Sequence, residues 1–135
     1  MRRWVRLIGC LTGLVSVAVL LVACSGLPEP PIELTQKDSG TTQELSVGQE
    51  LRVSLDANPT TGYVWAVDGE LPSQLEQTGE PDYTAESSAL GAGGTEVWTF
   101  VGKSSGTGTL KLKYWRSFEP TATPAGTFEV AVDVE

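Results

Sequence analysis

From Ile32 onward, apolar residues recur at every second position. "ELRVSL" places Leu51, Val53 and Leu55 on one face and Arg52 and Ser54 on the other. "YVWAV" aligns Tyr63, Trp65 and Val67, and "TEVWTFVG" sets Trp98 and Phe100 against Val97, Thr99 and Val101. "TLKLKYWR" turns Leu110, Leu112 and Tyr114 inward and Lys111 and Lys113 outward. "TFEVAVDVE" turns Phe128, Val130, Val132 and Val134 inward and Glu129, Asp133 and Glu135 outward. Such alternation, rich in β-branched and aromatic residues, marks strands with one face in the core and the other in water. No window carries a sustained helical stripe. Breakers recur between the runs: "SVGQE", "NPTTG", "DGELPS", "TGEPD", "LGAGG", "KSSGTG" and "EPTATPAG". About seven short strands in the last hundred or so residues predict an all-β fold, an immunoglobulin-like β-sandwich spanning residues 32–135.

The beginning of the chain follows a different pattern. "MRRWVR" is basic, and "LIGCLTGLVSVAVLLVA" is a continuous apolar run ending in "LVAC", Leu21 to Cys24. A basic start, an apolar stretch and a small residue before cysteine predict a bacterial lipoprotein signal over residues 1–23. Cleavage then leaves Cys24 as the lipidated first residue. Residues 24–31, with Pro28, Pro30 and Pro31, read as a stiff polar spacer. The expected location is the bacterial cell envelope, with the domain outside the cytoplasm and held to the membrane by lipid on Cys24.

Loss of the signal changes the charge. It removes three of the nine basic residues and none of the 17 acidic ones, so −8 becomes −11. A chain this acidic has no basic face to displace counterions from nucleic acid, so no nucleic-acid partner is expected. Cys10 leaves with the signal, so no disulfide can form within the domain, and the core must hold the fold unaided. A monomer is expected.

Residue chemistry argues against catalysis. The chain has no histidine, which removes Ser-His and Cys-His pairs and imidazole metal ligands. The carboxylates are scattered over outward strand positions, the ordinary solvated arrangement. No Asp-rich loop has calcium-ligand spacing, and "GAGG" lacks both the following lysine and the strand–loop–helix setting of a phosphate cradle. No cofactor and no metal site are expected.

The loops remain. Asn58, Pro59, Thr60, Thr61 and Gly62 form a turn with a stiff start, a small polar tip and a flexible end. Gly91, Gly93 and Gly94 precede "TEVWTF", and "YWRSFEP" follows "TLKLK". Taken as connections in a sandwich, the three fall at the same end, where such folds bind partners.

These three segments, in this order and at this spacing, resemble the signature loops of the chagasin family. Its members are protein inhibitors of papain-like cysteine proteases with an immunoglobulin-like fold. The resemblance covers nearly all of residues 32–135. It implies a reversible, non-covalent inhibitor whose partner is a papain-like cysteine protease. Residues 58–62 enter the active-site cleft, with Thr60 and Thr61 beside the catalytic thiol. Gly91, Gly93 and Gly94 lie along the enzyme through their backbone, and residues 115–119 pack on the other side. The family's third loop usually reads Arg-Pro-Trp, and here it reads Arg116, Ser117, Phe118. Ser117 lacks proline's rigidity, and Phe118 is smaller than tryptophan and lacks the indole N–H. Trp115, outward by alternation, is expected to supply part of the missing aromatic surface. Two rivals stay open on the residues alone: a non-inhibitory immunoglobulin-like envelope lipoprotein acting as a binding module, and a glycan hydrolase using two carboxylates.

Overall fold

The computed structural model describes residues 27–135. The signal segment and Cys24 lie outside the described residues. Among the described residues, nine strands form two packed sheets: β1 (Ile32–Thr35), β2 (Thr42–Leu45), β3 (Glu50–Ala57), β4 (Val64–Val67), β5 (Leu75–Gln77), β6 (Asp82–Ala85), β7 (Gly94–Gly102), β8 (Gly106–Trp115) and β9 (Gly126–Val134). One sheet runs β1-β3-β7-β5, with β6 also on β7, and the other runs β2-β9-β8-β4. The pairings are antiparallel except β1 with β3 and β2 with β9, which are parallel. The count exceeds the expected seven through its shortest elements. A one-turn 3₁₀ segment, Gln36–Asp38, lets the opening stretch serve both sheets as β1 and β2. The far edge of β7 is shared by β5 and β6, of three and four residues.

The alternation read from the sequence is the alternation of burial. Leu51, Val53, Leu55, Trp98, Phe100, Leu110, Leu112, Phe128, Val130, Val132 and Val134 form a single core with Leu34, Leu45, Trp65 and Leu75. Each fully buried large side chain contributes about 1.5–3 kcal/mol by leaving water, which is what lets a chain without a disulfide hold two sheets together. Outward positions carry ion pairs within and across strands. Arg52 meets Glu33 at 3.2 Å and Glu50 at 2.7 Å, and Lys111 meets its register partner Glu129 at 3.7 Å. Exposed pairs like these add little to stability, because water screens them.

The strand directions define two poles. β3 runs from Glu50 to Ala57, where it pairs with Gly94 at the start of β7. β8 ends at Trp115 opposite Val64, and β9 starts at Gly126 opposite Tyr114. The segments following β3, preceding β7 and following β8 therefore share one pole. At the other, Gly48 N–H donates to Gly102 O, Val47 N–H to Glu135 O, and Glu135 N–H to Leu45 O.

One inward position is acidic. Glu96 lies opposite Leu55 on the same strand face as Trp98 and Phe100, and the Trp98 indole N–H donates to its carboxylate at 2.7 Å. Burial pushes the Glu96 carboxyl above its ordinary range, and the indole hydrogen bond opposes part of that rise. A carboxyl raised in the folded state binds more protons folded than unfolded. Its stabilising contribution is thus complete at acid pH and is lost as pH rises through the folded value. Glu96→Gln keeps an acceptor for the indole and removes the charge. Thermal unfolding should show the variant a few degrees more stable than the wild type at about pH 7 and nearly equal to it at about pH 4. A gain independent of pH would show that ionisation of Glu96 is not its cause.

Candidate functional site

The first loop is built by its own side chains. Pro59–Thr61 is a 3₁₀ turn with extended Asn58 as its N-cap and Gly62, at φ 79°, closing it in the left-handed region that glycine adopts without strain. The Asn58 side-chain oxygen accepts from Thr60 N–H at 3.2 Å and from the Thr60 hydroxyl at 2.6 Å. The Thr61 hydroxyl donates to Asn58 O at 2.6 Å. The threonines are therefore more than small tip residues. Both hydroxyls are spent on fixing the turn, and a larger or apolar residue there loses that bracing.

The second loop is tied to the first. The Asn58 side-chain amide donates to Gly91 O at 3.1 Å, so one residue caps the turn and holds the neighbouring loop. Glu86 N–H closes the 86–93 loop on Gly93 O at 3.0 Å. Gly91, at φ 77°, has open space around it. Gly94 is different: a Cβ there would lie 2.2 Å from Thr84 O and 2.8 Å from the Ala85 Cα. Gly94 is buried, and its need for glycine comes from the close approach of β6. Asp56, Ala57, Asn58, Glu86, Gly93 and Tyr114 line a shallow hollow of about 350 Å³ behind the two loops.

An aromatic column joins the third loop to the core. Buried Trp65 stacks on Tyr114 with centroids 5.0 Å apart, and Tyr114 stacks on Tyr63 at 5.3 Å. The Arg116 guanidinium caps Tyr63 at 4.4 Å and lies 5.8 Å from the Phe118 ring. Arg116 also donates from Nε to Thr61 O at 3.3 Å and pairs with Glu119 at 3.5 Å. The Tyr114 hydroxyl accepts from Asn58 N–H at 2.8 Å. Phe118 packs against Gly62, where a Cβ would come within 3.2 Å of its ring. Stacked and cation–π contacts of this kind are each worth about 0.5–1.5 kcal/mol, and here they serve position more than stability.

All three expected loops thus meet at one pole, the second and third each in contact with the first. Two details were not legible beforehand. Trp115 does lie on the outer face of its sheet, beside Val64, but its ring is half-buried under the Lys113 ammonium at 4.4 Å. Its indole N–H is buried without a partner. The aromatic surface turned to water is Phe118, at 67% exposure. Leu90, next to Gly91, is fully exposed. Its lone apolar character at the edge of a polar loop, "ESSALGAGG", is the signal that could have marked it. Among the described residues, no group of three or more His, Cys, Asp or Glu side chains is arranged to hold a metal ion.

The role of Gly94 is open to a direct check. Gly94→Ala drives a methyl group into backbone and should cost at least the ~1–3 kcal/mol of ordinary overpacking. Denaturant unfolding of this variant should show the loss, and undiminished stability would show that β6 stands farther from β7 than described.

Comparisons with known proteins converge on one family. The family description "Chagasin family peptidase inhibitor I42" matches residues 44–132. Chagasin from Trypanosoma cruzi is 36% identical over 88 residues, covering 62% of this chain and 80% of chagasin. Amoebiasin-1 from Entamoeba histolytica is 34% identical over 107 residues, covering 77% of this chain and all of that protein. Among solved structures, a cysteine protease inhibitor from Entamoeba histolytica superimposes with a TM-score of 0.70 at 24% identity, over 78% of this chain and 96% of that one. The solution structure of amebosin gives 0.66 at 32% identity, over 79% of this chain and all of that one. The chain belongs to the chagasin family of peptidase inhibitors, and the fold that carries its three loops is the fold of that family.

Proposed function

We propose that the protein is a reversible, non-covalent inhibitor of papain-family cysteine proteases, and that its three loops (58–62, 91–94 and 115–119) together block the active-site cleft. The observation that carries this reading is the mutual bracing of the loops: Asn58 holds residues 58–62 to Gly91, and Arg116 holds them to the third loop. Loops already ordered lose little conformational entropy on docking, so contact surface converts more fully into affinity. The Pro59–Thr61 turn forms the tip of the wedge. Leu90 and Phe118 are exposed apolar groups on either side of it, suited to shallow apolar ground beside the cleft. Arg116 acts chiefly from within, as the cap of the aromatic column.

The reading extends to location. The basic start, apolar run and "LVAC" support export and lipid attachment at Cys24, with the domain outside the cytoplasm and the acyl chains in the membrane.

Titration of the domain into papain-like and trypsin-like proteases tests the function. Papain-like activity should fall and trypsin-like activity should not; papain-like enzymes that keep full activity at micromolar domain would overturn the reading. Replacing Thr60 with Arg and Thr61 with Glu should weaken inhibition at least about 30-fold, the ~2 kcal/mol of an interface hot spot. Far-UV circular dichroism should show the sheets intact. Leu90→Asp should weaken inhibition about ten-fold, or ~1.4 kcal/mol, without altering the melting temperature. Unchanged inhibition constants for Leu90→Asp would remove that loop's apolar edge from the interface.

A further inference from the structure

The chain enters the domain at the pole opposite the three loops. Ile32 pairs with Leu51 at the beginning of β3, whereas the first loop leaves from the end of β3 at Ala57. The spacer is already docked there: Gln49 donates from its side-chain amide to Pro30 O at 2.9 Å. This shortens the free tether. Between Cys24 and Glu29 it can span at most about 18 Å at 3.6 Å per residue. The ten residues of β8 alone extend about 30 Å between the poles. An inverted domain, loops toward the bilayer, would have to carry Glu29 about 30 Å from the surface, beyond what the tether reaches.

Charge disfavours the remaining alternative, a domain lying on its side. Residues 27–135 hold six basic and 17 acidic side chains. Four of the six cations, Arg52, Lys111, Lys113 and Arg116, are already paired with carboxylates. Along the flanks, Glu44 on β2, Glu76 on β5 and Asp82 on β6 are exposed acids on both sheets. A surface of this sign is repelled by anionic headgroups.

We propose that the anchored protein stands upright on its membrane, with the inhibitory loops facing the surrounding medium, and that its partners are proteases diffusing in that medium. Proteases whose clefts open close to the same bilayer are out of its reach. This inference rests on the lipid anchor and inhibitor function proposed above.

The test uses the full lipidated chain, purified from a bacterial host, in vesicles of mixed phosphatidylcholine and phosphatidylglycerol. Acylation blocks the Cys24 thiol, so a single introduced cysteine takes a fluorophore. Val47→Cys reports the tether pole and Ser88→Cys the loop pole. With a nitroxide quencher on the lipid headgroups, the label at position 47 should lose most of its emission and the label at position 88 should keep it. The unlabelled protein should inhibit papain added outside the vesicles as fast as it does dispersed in detergent. Equal quenching at both positions, or inhibition in detergent that disappears in vesicles, overturns the upright arrangement. Failure to float with the vesicles overturns the anchor, and the orientation with it. Correct quenching with no inhibition in either state overturns the inhibitor reading and the assignment of partners, leaving the orientation in place.

Discussion

The Tyr114 side chain is the joint between the fold and its working end. Its ring lies between Trp65, which belongs to the core, and Tyr63, which belongs to the loop pole. Its hydroxyl accepts the Asn58 backbone N–H. Removing that side chain would separate the turn from the strands that aim it. Core packing is dense and resists deformation, so a loop fixed to it inherits a defined direction. Asn58 then passes the position on to Gly91, and Arg116 passes it to the third loop.

The division of labour among residues follows from this joint. Strands supply rigidity through buried leucines, valines and aromatics, none of them at the loop tips. Loop residues supply local hydrogen bonds, which hold shape at modest net energy. Stability and loop shape therefore sit in nearly separate sets of side chains, with Gly94 an exception that belongs to packing though it stands in a loop motif.

The sandwich was legible in the sequence because strand burial repeats every two residues, and nearly every residue assigned inward by that rule is buried. The number of strands was less legible, since β5 and β6 have three and four residues and owe their pairing to β7 rather than to their own pattern. The loop segments were legible as motifs, and their shared pole followed from counting strands. Their bracing was not. An Asn58 amide directed at Gly91 O, or a Cβ excluded at Gly94 by Thr84 O, depends on tertiary distances that no local pattern encodes. Glu96 departs from the apolar alternation at an inward position, where the indole N–H of Trp98 on the same strand bonds its carboxylate.

The curvature of the Pro59–Thr61 turn has a consequence for how long the protein lasts beside the enzymes it meets. A protease cleft of the papain kind reads a substrate as an extended strand. Here extension would break the Thr61 N–H to Asn58 O and Gly62 N–H to Pro59 O bonds, together with the threonine braces. It would also detach Phe118 from Gly62. In the proposed complex, the segment offered to the enzyme is thus held away from the shape of something cut. Its survival is a matter of geometry, and the encounter can end by release with the chain whole.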